Sequence, residues 1–263
     1  MGLSDPAASM LATRDRYFVP CVMAPFAEDL ARRLGRLTNG PVLEIAADTG
    51  ALTLAMAASL SAGLTIIATD PDPAAIEHAS AKSGMARVTW QTAEPQALPF
   101  QDATFGVVAC LFAAATLPDR VATFQEVRRV MKRGARFLFS VPGHIRQNPV
   151  ADCIHAALET LSPGDPPSFI GHGLHGYGDS ETIDDDLTEA GFTDAIYTAV
   201  DLPFAADSAR EVAMGYCLGT PLRAEIQRRF PHGTDSVTQA LEKRFGTGKI
   251  KATMRAQVVS AAG

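Results

Sequence analysis

The feature that most constrains this chain is an alternation. Between residues 42 and 141, short and nearly continuous apolar runs take turns with longer amphipathic stretches, and the connections are short. The runs at 42–46, 64–69, 87–91, 105–112 and 135–141 read as strands buried on both faces. Residues 51–60, 73–82 and 119–131 read as helices. Pro73 suits a first helical turn and Asp119 suits an N-cap. Parallel strands need crossovers, and helices of this length supply them. The pattern therefore predicts a mostly parallel sheet, doubly wound, with right-handed connections.

The flanks extend this plan. A helical stretch at 18–37 carries Val22, Phe26, Leu30, Leu34 and Leu37 at helical spacing and breaks at Asn39-Gly40-Pro41. After Pro142 the alternation stops, and residues 143–180, rich in Gly, Pro and His, read as irregular. A helix at 179–190, a sixth strand at 192–200, a helical region at 204–246 and a last strand at 250–260 follow. The helical region breaks at Gly219-Thr220-Pro221 and Pro231-His232-Gly233. The expected class is α/β, with a Rossmann-like, seven-stranded, mostly parallel sheet, helices on both faces and a helical insert before the last strand. The expected organisation is a helical cap at 1–40, the Rossmann-like domain at 41–200, a helical substrate lid at 201–248 and the final strand at 249–263.

Charge narrows the partners. A net charge of −6 and a pI near 5.5 argue against nucleic acid or an anionic membrane surface. A local basic cluster, Arg128, Arg129, Lys132, Arg133 and Arg136, falls at a predicted helix end, where cations offset the helix dipole. Cys21, Cys110, Cys153 and Cys217 form no CxxC and have no histidine at metal spacing, so reduced thiols and no metal are expected. Residues 1–17 lack an apolar leader core, and no run reaches bilayer-spanning length. A cytoplasmic protein with a small-molecule partner, and with homodimerisation open, is the expectation.

Chemistry should lie where ligands bind in such sheets, outside the carboxyl ends of the strands. Glu44 to Gly50, with small residues at Ala46, Ala47 and Gly50, can turn sharply and bring backbone close to a ligand. Asp70, twenty positions beyond Gly50, ends the second strand and can accept from two ribose hydroxyls. Each acid also has a plainer reading: Asp48 as a turn residue, Asp70 as a cap, Glu94 as a solvated loop acid. Ala46, Asp48 and Ala51 sit at dinucleotide-fingerprint spacing without its glycines, which leaves a nicotinamide oxidoreductase as a weaker alternative.

A third stretch separates the cofactors. Glu94-Pro95-Gln96-Ala97-Leu98-Pro99-Phe100-Gln101-Asp102 precedes the fourth strand, Glu126 to Arg136 reads E-x-x-R-V-M-K-R-G-A-R, and Glu189-Ala190-Gly191-Phe192 precedes the sixth strand. This ordered set, over residues 17–200, resembles the class I S-adenosylmethionine-dependent methyltransferases, in particular the small-molecule group related to ubiquinone-biosynthesis methyltransferases. The resemblance implies S-adenosyl-L-methionine as cofactor. It also implies that Glu44 anchors the first loop, that Ala46, Asp48 and Gly50 pass under the methionine, and that Asp70 and Pro71 hold ribose and adenine. Glu94 and Pro95 would flank the base, Cys110 and Leu111 would line the methyl end, and Tyr17 would close the site. His144, His175 and Tyr177 are candidates for a catalytic base, should the acceptor need one. The apolar run from Leu111 implies a partly apolar acceptor.

The chain departs from the family pattern at Asp48, where the family has Gly, and at Gly106, Arg133 and Ala135. A carboxylate at position 48 either repels the cofactor's own carboxylate or pairs with its ammonium. The departures keep open a same-fold enzyme or binding protein that holds the nucleoside without methyl transfer.

Overall fold

Burial along the strands follows the apolar runs. In the computed structural model, which describes residues 6–37 and 40–263, β1 (Val42–Glu44) and β4 (Phe105–Leu111) are buried at every position. They sit at the centre of one sheet with β2 (Ile66–Asp70), β3 (Val88–Thr92), β5 (Met131–Pro142), β6 (Asp194–Ala206) and β7 (Ile250–Ala262). The order is β3-β2-β1-β4-β5-β7-β6. The first five strands pair in parallel, and β7 runs antiparallel between β5 and β6. This is the expected mixed, mostly parallel sheet of Rossmann-like type. Asn39, part of the predicted break, and residues 1–5 lie outside the described residues.

The helices are α1 (Pro6–Thr13), α2 (Ala24–Leu37), α3 (Ala51–Ser59), α4 (Pro73–Ser80), α5 (Arg120–Val130), α6 (Pro149–Leu161), α7 (Ser180–Glu189), α8 (Ala209–Leu218), α9 (Leu222–Arg229) and α10 (Gly233–Phe245). Three start on an aspartate that accepts from a first-turn N–H: Asp72 from Ala74, Asp119 from Ala122 and Asp179 from Thr182. Side chains alternate along β4, so it feeds two cores. Val107, Ala109 and Leu111 join Phe18, Phe26, Leu30, Ile154 and Tyr216 on one face. Val108 and Cys110 join Phe124, Phe137 and Phe139 on the other.

Three boundaries differ from expectation. The leading helix begins at Pro6, and its middle, Arg14–Met23, is wound wider as a π-helix. Pro20 lies inside that segment and lacks an N–H, which removes one bond of the usual ladder. The stretch expected to be irregular holds α6, which buries Val150, Ala151, Ile154 and Leu158. Pro149 at its first turn and the four-residue spacing of those apolar positions were the available signals. Finally, β6 continues to Ala206, so the helical region starts at Ala209. There α8 to α10 bury Val212, Cys217, Leu222, Val237 and Leu241 in the core cluster that holds Phe18 and Phe26. Gly215 permits this packing, because a Cβ there would lie 2.9 Å from the Tyr17 backbone. No helix among the described residues is long and apolar enough to cross a membrane.

Candidate functional site

The strand order reverses between β1 and β4, and the loops after them part to leave a crevice at their carboxyl ends. Two adjoining cavities occupy it. One, of about 260 Å³, is lined by Ala46, Asp48, Asp70, Pro71, Glu94, Pro95 and the Ala113–Pro118 side. The other, of about 160 Å³, is largely apolar, with Phe18, Met23, Leu111, Phe112, Phe169 and Leu174 around Arg14. Ala46, Asp48, Ala113 and Thr116 line both.

The loop after β1 is held in a strained form. Ala46, Asp48 and Gly50 have φ of 51°, 50° and 78°, so every second residue is left-handed. Phe112, at the end of β4, has φ 61°. For residues with a Cβ this costs about 1–2 kcal/mol each, and three of them meet at one crevice. At Gly50 the space is also closed, since a Cβ would meet Trp90, Ala79 and Met85 at 3.1–3.2 Å.

Asp70 holds the loop in place. Its Oδ2 accepts from Asp48 N at 2.7 Å and its Oδ1 from Asp72 N at 2.9 Å. Burial raises its pKa above the usual carboxylate range. The side chain of Asp48 accepts from Arg14 Nη1. Beneath them Glu44 is fully enclosed, and Thr53 Oγ1 donates to its Oε2 at 2.5 Å. Burial, then the nearby charges of Asp70 and Asp48, push Glu44 up to about 8 against the Thr53 bond. The crevice is thus an acid-walled pocket that favours positive charge.

The Glu94 wall is braced from behind by the residues that carried the resemblance. Arg129 donates to the carbonyls of Leu98 (2.9 Å) and Phe100 (2.8 Å) and to Asp102 (2.7 Å), while Glu126 accepts from Leu98 N at 2.8 Å. The E-x-x-R pair on α5 therefore fixes the Leu98–Asp102 loop, and with it Glu94 and Pro95.

The structure brings Ala46, Asp48, Asp70, Pro71, Glu94, Pro95 and Leu111 together, and separates the other candidates. Glu44 lies under the loop, not on the cavity wall. Gly50 faces an outer groove between α2 and α3. Cys110 points to the opposite core by strand alternation, and burial pushes its thiol to about 12. Tyr17 lines a separate groove with Arg16, Lys249 and Lys251. None of the three proposed bases reaches either cavity. His144 is exposed and caps a short turn by accepting from Arg146 N. His175 is buried, its Nδ1–H donates to Gly143 O at 2.8 Å, and burial pulls its pKa to about 4. Tyr177 donates to Asp186 at 2.7 Å under the Arg120 guanidinium. Arg14, Phe18, Phe169 and Leu174 were not foreseen. Nothing local marks them, since they reach the crevice only by tertiary packing.

Comparison with known proteins agrees with this geometry. Residues 42–134 match the family model of the methyltransferase domain. The ubiquinone/menaquinone biosynthesis C-methyltransferase UbiE of Citrifermentans bemidjiense is 29% identical over 118 residues, covering 42% of this chain and 50% of that protein. The chain thus spans about half the length of such curated relatives. The Bacillus subtilis YcgJ protein superposes with a TM-score of 0.56 at 18% identity, over 90% of this chain and 97% of the other. Haemonchus contortus phosphoethanolamine N-methyltransferase 2, solved in complex with S-adenosyl-L-methionine, gives 0.58 at 14% identity, over 96% of this chain and 56% of the other. With the strand order and the braced acidic crevice, residues 42–134 match the methyltransferase domain family, and the chain shares the Rossmann-like fold of these solved structures.

Proposed function

We propose that the chain is an S-adenosylmethionine-dependent methyltransferase whose acceptor is a small, partly apolar molecule. The observation that carries this is the shared wall: Ala46, Asp48, Ala113 and Thr116 line both the acid-edged cleft and the apolar cavity. A nucleoside lying in the cleft would end where an acceptor in the cavity begins.

The residues suit the cofactor. Each oxygen of Asp70 spends one lone pair on a loop N–H and keeps another for a ribose hydroxyl. Glu94 offers an acceptor on the facing wall, and Pro71 and Pro95 offer flat apolar edges to a purine. When bound, S-adenosylmethionine supplies an electrophilic methyl group on a cationic sulfur. The chain's part is to position the partners and keep water out. Leu111, Phe112, Phe169 and Leu174 give the acceptor a dry wall. Among the described residues, the charged side chains lining that cavity are Arg14 and Asp48, paired with each other. An acceptor that is already nucleophilic suits that lining. The ubiquinone/menaquinone relatives make a quinone precursor the first acceptor to try. Four buried, free cysteines suit a reducing cytoplasm.

Calorimetric titration with S-adenosylhomocysteine tests the reading. Saturable binding, weakened at least tenfold in Asp70→Ala, is expected; no binding, or equal binding by the variant, refutes it. Asp48, in place of the family's glycine, favours a second reading in which the nucleoside is held without methyl transfer. Cofactor binding with no mass gain in any quinol-type acceptor would favour that one.

A further inference from the structure

The ion pair at the junction of the two cavities has no task in the reaction as described. Arg14 Nη1 donates to Asp48 Oδ1, and Arg14 Nε donates to Gly219 O at 2.6 Å. The Arg14 side chain is only 12% exposed and that of Asp48 25%. Among the described residues, Arg14 is the single cation lining either cavity, whereas Asp48, Asp70 and Glu94 line the cleft.

We propose that Arg14 and Asp48 form a split receptor for the amino-acid tail of the nucleoside, Arg14 taking its carboxylate and Asp48 its ammonium. This rests on the cofactor reading above. A half-buried ion pair is costly to break when either partner is left alone. A zwitterion can break it without that cost, because it hands each ion a new opposite charge. A ligand with only a carboxylate would face Asp48 and Asp70. A ligand with only an ammonium would strand Arg14. The bond from Arg14 to the Gly219 carbonyl keeps the guanidinium in place once Asp48 turns to the ligand. That same turn continues into Thr220 and Pro221 of the apolar cavity, so the tail would be clamped beside the acceptor.

The test compares three probes by calorimetry. S-adenosylhomocysteine carries both charges of the tail, 5′-methylthioadenosine carries neither, and decarboxylated S-adenosylmethionine carries the ammonium without the carboxylate, together with a sulfonium that the other two lack. The wild type should prefer S-adenosylhomocysteine over 5′-methylthioadenosine by at least tenfold, about 1.4 kcal/mol. Arg14→Gln should erase most of that preference, leave affinity for 5′-methylthioadenosine unchanged and tighten decarboxylated S-adenosylmethionine, which then strands no cation, while Arg14→Lys restores part of the preference. Asp48→Asn should weaken decarboxylated S-adenosylmethionine. A preference untouched in folded Arg14→Gln, or tighter S-adenosylhomocysteine binding in Asp48→Asn, overturns the receptor. Equal wild-type binding of S-adenosylhomocysteine and 5′-methylthioadenosine, both lost in Asp70→Ala, overturns it while sparing the cofactor reading. No binding by any probe overturns both.

Discussion

Glu44 should make the stability of this protein fall as pH rises through neutrality. Its carboxyl ordinarily titrates at 4.5 and in the fold at about 8, because it is sealed below the β1 loop beside Asp70 and Asp48. Between those two values the native state holds a proton that the unfolded chain has released. The native state binds more protons, so the free energy of unfolding declines with rising pH in that window. At about 1.4 kcal/mol per pH unit, the full gap is worth about 5 kcal/mol, of which about 3 is lost by pH 7. Glu44→Gln removes the titration and keeps a carbonyl oxygen to accept from Thr53. Urea unfolding of both proteins at pH 5, 6, 7 and 8 measures the effect. The wild type should lose about 2–4 kcal/mol more than Glu44→Gln across that range. Curves that stay parallel to within about 0.5 kcal/mol would show that Glu44 is already ionised in the fold, and the reasoning that burial beside Asp70 and Asp48 holds its proton would fail.

Other expectations follow from single contacts. Gly215→Ala forces a Cβ to 2.9 Å from the Tyr17 backbone and should cost about 1–3 kcal/mol in urea unfolding. Ala46→Gly relieves a left-handed residue whose methyl is only half-buried and should raise stability by about 0.5–1 kcal/mol, or about 1–4 °C in Tm. Arg129→Ala releases the Leu98 and Phe100 carbonyls and should lower affinity for S-adenosylhomocysteine several-fold by calorimetry. The four cysteines should react with a thiol reagent only as fast as the protein opens, since all are buried and burial raises each thiol's pKa.

How far the site was legible depended on how local its signals were. Asp70 and Glu94 were readable because each ends or follows a strand in a parallel sheet, and strand ends in such sheets face one crevice. Cys110 was misplaced by one residue of register: strand alternation sends Leu111 to the cavity and Cys110 to the opposite core. His144, His175 and Tyr177 were drawn from a stretch expected to be irregular. Its helix α6 and the bonds of those side chains to Arg146, Gly143 and Asp186 put them elsewhere.

The alternation of apolar and amphipathic segments, by itself, determined the sheet, its parallel core and the position of the crevice, because periodicity dictates which faces must be buried and short connections dictate which strands are neighbours. What only the tertiary structure decided is the charge arrangement inside that crevice. Arg14 meets Asp48 across 34 residues and Gly219 across 205, and no local pattern encodes a contact between segments so distant in the chain. Those pairings are settled when the N-terminal segment and α8 pack onto the same face of the sheet, where Gly215 leaves room for Tyr17.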